Sequence, residues 1–364
     1  MLRANPYLGT LNTPYFRYGV YFFFSLWFVL TWIQTSTSPL TSFYPADQSD
    51  FKKLMDGTAN RPYIQRLLVP VLTRTIISAI PAPYDEKLRN SLPQIPKVQK
   101  ELRRLGWDAG VILEHVVSSS IVVFLFFSTV LILDRLLMLL YRSESHIRML
   151  QTCMSFLLLP PVFETGPHYI YDLPTIFFLI AGMLLLYQKR WTFYYIVFFL
   201  GCLNKETMLF MSVAFFAFYT VTIKRNQLIL HMLLHMVIIS FVYFMIVQIY
   251  GNNPGTNIEF HFHANIHSML QGYSLSGLAI FGISVWLLAY DFRSVPRLFR
   301  MTAFIAIPFS VTWLLFGILT ELRAVYEIIF IVNLFIVHSI FHKLIPIVHI
   351  NNDSYKNQGM THGN

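Results

Sequence analysis

The sequence predicts an all-α fold: a polytopic transmembrane bundle of about ten spans, with a large external first loop carrying surface-lying helices. Three observations carry this. Of the 364 residues, 55% are apolar and only 12% are charged, against roughly 25% charged in soluble domains, and the mean hydropathy is +0.54. A soluble chain of this length has too little interior to hide so much apolar surface, and a disordered chain would be apolar-poor. The apolar residues also fall in runs near the length that a hydrocarbon crossing takes. Finally, Lys and Arg gather in every second connection between those runs.

The first run, 17–33, is read as a retained span, because Gln34-Thr35-Ser36-Thr37-Ser38 makes a poor cleavage site. The long segment 34–112 then forms the first loop. Within it, 61–80 places Ile64, Leu67, Leu68, Val71 and Leu72 on one helical stripe, with Gln65, Arg66, Thr73 and Arg74 off it. That pattern predicts a helix lying along the membrane surface, kinked at Pro70. The Pro-rich stretch 81–100 reads as a surface loop, and a further helix starts near Pro96 and runs toward the second span. The remaining spans are 113–141, 147–163, 169–187, 191–203, 206–223, 228–250, 272–290, 299–318 and 324–342. One domain, 1–345, holds all of them, and 346–364 reads as a disordered tail.

Orientation follows from the short connections. One set holds Arg142, Arg148, Lys189, Arg190, Lys224, Arg225, Arg293, Arg297, Arg300 and Lys343, whereas the alternate set holds only Lys205 and Arg323. The positive-inside rule puts the first set and both termini in the cytoplasm, and the long first loop crosses regardless of its charge. The same bias accounts for the net charge of +9 without nucleic acid as a partner. Cys153 and Cys202 lie inside apolar runs and read as small core residues.

Most span interiors are clean, and the polar residues gather at helix ends on the external side. Asp47 and Asp50, in the first loop, could serve as general base or hold a divalent cation, against a plain solvated loop. Arg61 and Arg66 suit phosphate at headgroup height, or merely anionic-lipid contact. Asp172 with Pro174 looks like a helix cap and start, while Glu164 and His168 just before have no such explanation. Lys205 and Glu206 separate two apolar runs with almost no loop, a costly depth for charge unless paired. Lys205 could neutralise a phosphate, and Glu206 could orient Lys205 or bind a cation, against a tight helical hairpin with Glu206 at a helix N-terminus. His263 and His267 have helical spacing for a metal, without a carboxylate partner at a telling distance. Glu321, Arg323 and Glu327 at the last span suggest a buried polar network or a phosphate clamp.

Taken together, Asp47-x-x-Asp50 after the first span, Arg-Pro-x-x-x-Arg-Leu-Leu-x-Pro at Arg61 to Pro70, Tyr-Asp-x-Pro at Tyr171 to Pro174, Asn-Lys-Glu-Thr at Asn204 to Thr207 and Glu-x-Arg at Glu321 to Arg323 resemble the GT-C superfamily of polytopic membrane glycosyltransferases, in its bacterial members. The resemblance implies a polyprenyl-phosphate-linked sugar as donor, held with its lipid tail between spans, and a glycan or lipid acceptor. It implies transfer at the external, periplasmic face of a bacterial inner membrane. Asp47 or Asp50 would deprotonate the acceptor, and Arg61, Arg66, Lys205 and Arg323 would stabilise the departing phosphate, with His168, Asp172, Glu206 and Glu321 around them. The spacing is Asp-x-x-Asp and not Asp-x-Asp, so the involvement of a divalent metal stays open. The aromatic run 191–200 suits a lipid groove. A transporter or flippase, or a polymerase of lipid-linked saccharides, is the alternative; a transporter would place ionisable groups deep in the spans, and the main candidate, Asp134-Arg135, falls near the cytoplasmic end of a long helix, where an ion pair is unremarkable.

Overall fold

With no water in a bilayer to satisfy backbone groups, apolar runs fold as helices that bond internally, and this chain follows that rule. The computed structural model describes residues 13–35, 51–157, 159, 169–270, 290, 292–318, 325–344 and 349–350. In chain order the helices are α1 (Pro14–Thr35), α2 (Phe51–Asp56), α3 (Leu68–Ser78), α4 (Ala82–Ser91), α5 (Pro96–Leu105), α6 (Ile112–Leu140), α7 (Ser145–Met154), α8 (Asp172–Tyr187) and α9 (Trp191–Asn204). After the 3-10 turns Glu206–Phe210 come α10 (Met211–Tyr219), α11 (Arg225–Tyr250), α12 (Phe262–Leu270), α13 (Arg297–Thr302), α14 (Ala306–Phe316) and α15 (Tyr326–Ser339). A two-residue strand, β1 (Tyr141–Arg142), pairs antiparallel with β2 (His349–Ile350), so the start of the expected tail is tied to the bundle.

Five helices among the described residues are long and apolar enough to cross a membrane: Pro14–Thr35, Ala109–Leu140, Arg225–Tyr250, Arg297–Phe316 and Tyr326–Lys343. Three further expected spans are helical but shorter. The 16 residues of α8 and the 14 of α9 rise about 24 and 21 Å, against about 30 Å of hydrocarbon. The third is Glu206–Tyr219; of 147–163, residues 147–154 belong to α7, and 158 and 160–163 lie outside the described residues. The expected span 272–290 lies, but for residue 290, outside the described residues.

The short α8 is the centre of the molecule. Asp172 through Ile176 and Phe178 through Met183 are all buried, against α6, α9 and Glu206–Tyr219. By contrast α11 buries only Leu228, His235, Val242, Ile246 and Tyr250 of its 26 residues, leaving an apolar outer face. Two histidines glue α11 to α9. His235 Nδ1 lies 2.7 Å from the His231 carbonyl and so donates to it, which leaves Nε2 to accept from the Tyr194 hydroxyl at 2.8 Å. His231 Nδ1 meets the Tyr195 hydroxyl at 2.7 Å.

Contacts sort the helix ends into two groups. At one end Arg17 reaches Ser145, Tyr141 and Ser294 meet His338, Arg297 donates to the Phe218 carbonyl, and Tyr219 to that of Leu186. The short connections rich in Lys and Arg are here, whereas the cations of 82–105 lie at the other end, where Arg89 meets Glu114 at the start of α6. Asp134 also belongs to this end: it accepts from Tyr21 at 2.8 Å and from Arg148 at 3.0 Å, while Arg135 is exposed and reaches only Met138. The adjacent Asp134-Arg135 is therefore no ion pair; consecutive helical residues face apart. At the opposite end lie 51–74, the starts of α8 and α15, the turn after α9 and the loop after α11.

The first loop differs from its expected form in two places. The surface helix starts at Leu68, so Pro70 falls in its first turn, where no hydrogen bond is lost and no kink results. Its buried residues are Leu68, Val69, Pro70 and Thr73, while Val71 and Leu72 are exposed. The stretch 81–100 is helical and not a loop. Pro81 stands just ahead of α4, Pro83 and Pro93 are the second residues of α4 and of the turn Leu92–Gln94, and Pro96 is the first of α5, places where a fixed φ favours helix and no amide is missed. The helix expected near Pro96 begins there and ends at Gly106, in the left-handed conformation at φ 64. Asp108 then caps Gly110 at 2.8 Å ahead of α6.

Candidate functional site

Because α8 and α9 are short, their ends form a recess. Tyr194 faces His235 and Phe199 faces Phe241, which sets α9 and α11 parallel, with Asn204 level with residue 246 of α11. The last turn of α11 therefore stands about 6 Å above the turn after α9. A roof closes over this step. Asn253 donates to the carbonyls of Gly57 and Ala59 at 3.0 Å, the Leu67 amide donates to the Leu203 carbonyl at 2.9 Å, and Arg74 reaches the Tyr250 hydroxyl at 3.5 Å.

Beneath the roof, Lys205 is 6% exposed. Its Nζ lies 2.9 Å from Glu327 Oε1, 3.9 Å from Asp172 Oδ1, 3.2 Å from the Tyr326 hydroxyl and 4.3 Å from the centre of that ring. Thr207 donates to the same Glu327 oxygen at 2.8 Å. Asp172, fully buried, is the first residue of α8 and not its cap, that position falling to Tyr171; its Oδ2 accepts from the Tyr169 amide ahead of the helix at 3.1 Å. Asn204 donates to the Tyr171 carbonyl and to Thr175, both at 2.9 Å, and so pins α9 to α8.

Beside this buried group stands a more open one. Arg66 engages Glu206 through two nitrogens, at 2.7 and 3.2 Å, and bonds the Tyr171 hydroxyl with its guanidinium 4.4 Å from that ring. Burial would lower the Arg66 pKa, but the Glu206 carboxylate more than offsets it, and the group is held well above its ordinary value. Glu206 does not orient Lys205, as the sequence suggested; Glu327 does. The Glu206 side chain is 56% exposed and faces the solvent side of the recess.

The structure thus brings together four expected residues, Arg66, Asp172, Lys205 and Glu206. It adds Glu327, which the sequence offered only as part of a polar network, along with Tyr171, Asn204, Thr207 and Tyr326. Arg61 is set apart: it donates to the Gly255 carbonyl at 2.6 Å and to Asn257 at 3.1 Å, where Gln65 also donates at 3.0 Å. It is a clasp between the roof and the loop after α11. Of the other expected residues, Asp47, Asp50, His168, Glu321 and Arg323 lie outside the described residues. His261, near the histidines weighed as metal ligands, meets Glu259 at 3.3 Å, and His263 and His267 are exposed.

Chemically, the recess offers two cations, each already neutralised, and three carboxylates. Two acceptors, Glu327 Oε2 and Asn204 Oδ1, are buried and meet no donor among the described residues, and such groups call for an explanation. No family of proteins, no curated protein and no solved structure matches this chain, so its reading rests on this geometry and on the sequence.

Proposed function

We propose that the chain is a membrane glycosyltransferase, transferring a sugar from a polyprenyl-phosphate-linked donor to a glycan or lipid acceptor at the recessed end of the bundle. The observation that carries this reading is the recess itself: charged and amide groups held about one helical turn below the top of a membrane-spanning helix, at the level where a lipid phosphate and its sugar sit. The buried acceptors Glu327 Oε2 and Asn204 Oδ1 suit sugar hydroxyls. Arg66 is the cation that a departing phosphate meets, exchanging the exposed Glu206 for it with the same two-pronged geometry. Lys205 keeps its buried carboxylates and acts through its field. In this reading Asp47 or Asp50 serves as base and Arg323 adds a further cation. The recessed end faces the periplasm of a bacterial inner membrane, and both termini are cytoplasmic.

The test is transfer from synthetic polyprenyl-phosphate sugars by the purified full chain. Asp47→Asn or Asp50→Asn is expected to abolish turnover while donor binding persists. Unchanged turnover in both variants, or no transfer from any such donor by the wild type, overturns the reading.

A further inference from the structure

A groove of about 500 Å³ lies on the outer side of the bundle, at the basic end opposite the recess. It is lined by Phe216 and Thr220 of the segment ending at α10, and by Arg225, Leu228, Met232 and Met236 of α11 among others. Its floor is apolar, its mouth carries Arg225, and Lys224 adjoins it. Both cations are exposed, and among the described residues neither forms an ion pair or a side-chain hydrogen bond. From Arg225 to Met236 the helix rises about 16 Å, close to half of a hydrocarbon core of about 30 Å.

We propose that this groove seats one anionic glycerophospholipid of the adjoining leaflet, its headgroup phosphate on Arg225 and Lys224 and one acyl chain along Leu228, Met232 and Met236. Three features select this occupant. Two unpaired cations at the membrane edge complement an anionic headgroup. Arginine offers the paired donors that a phosphate accepts. The groove is one leaflet deep, which fits an ordinary acyl chain and ends far short of a polyprenyl chain. Flexible Met232 and Met236 on its wall adapt to an acyl chain without a fixed shape.

The site is separate from the recess and does not depend on the transferase reading. The test counts lipids retained by the delipidated full chain in native mass spectrometry, titrated with phosphatidylglycerol, phosphatidylcholine or polyprenyl phosphate. The wild type is expected to bind one phosphatidylglycerol in preference to phosphatidylcholine. Arg225→Gln should weaken phosphatidylglycerol about fivefold and Lys224→Gln with Arg225→Gln about 25-fold, with phosphatidylcholine unaffected, from the usual gain per surface cation. Arg225→Lys should retain most of the preference, and Met232→Trp should reduce occupancy by both phospholipids by filling the groove. Equal binding of the two phospholipids, a preference unchanged in the double variant, or displacement of phosphatidylglycerol by equimolar polyprenyl phosphate overturns the proposal.

Discussion

At the scale of single residues, Lys205 and Arg66 look alike in the sequence but differ in how they are held. Lys205 and Glu327 are buried together, their side chains 7% and 6% exposed, so removing the cation strands buried negative charge. Lys205→Met is therefore expected to cost about 3–5 kcal/mol of stability, read as a fall in thermal midpoint in detergent. The double variant Lys205→Met with Glu327→Gln should recover part of that loss, because no charge is then left unpaired; a double variant as unstable as the sum of the two singles would refute the pairing. Arg66, its side chain 14% exposed, pairs with a carboxylate that is 56% exposed and also bonds Tyr171, so Arg66→Gln should cost about 1–2 kcal/mol, less than Lys205→Met. Turnover should fall about a hundredfold if the guanidinium receives charge in the transition state. Equal effects on stability at the two positions would show that burial does not separate their roles.

At the scale of elements, the α9–α11 seam and the roof carry the shape of the recess. Tyr194→Phe removes the donor to His235 and is expected to loosen the seam by about 1 kcal/mol, the usual worth of a hydrogen bond between helices in membranes; no shift in thermal midpoint would argue against it. The roof depends on Gly255, whose φ is +92 and where a Cβ would stand 2.5 Å from the Arg61 carbonyl. Gly255→Ala should release 57–67 and raise its hydrogen-exchange rate, with the bundle core unchanged. How far such features were legible depends on their range. Helix positions were largely readable because an apolar run in a membrane has few alternatives. The need for Lys205 to be paired was readable from its depth, but its partner was not. Lys205 has extended backbone, φ −159 and ψ 138, so successive side chains diverge and the adjacent Glu206 turns to Arg66 instead. Glu327 is 122 residues away, and one charge in the first turn of an apolar helix was the only signal for it. Proline misled in 81–100, because its composition is that of a loop while its positions are those of helix starts.

At the scale of the whole molecule, charge and length together set the topology. The five helices long enough to cross a membrane run between the basic end and the recessed end, so one accessibility measurement fixes the direction of all five. With Cys153 and Cys202 replaced by alanine, Asn252→Cys and Asn226→Cys place single exposed thiols at the recessed and basic ends respectively. The excess of Lys and Arg in the short connections at the basic end favours their retention in the cytoplasm, the long first segment being counted separately. A membrane-impermeant maleimide applied to intact spheroplasts should therefore label Asn252→Cys, and should label Asn226→Cys only after permeabilisation. The opposite pattern would put the recess in the cytoplasm, where a donor presented at the external face could not reach Arg66, and would rule out the proposed site of transfer while leaving the fold unaffected.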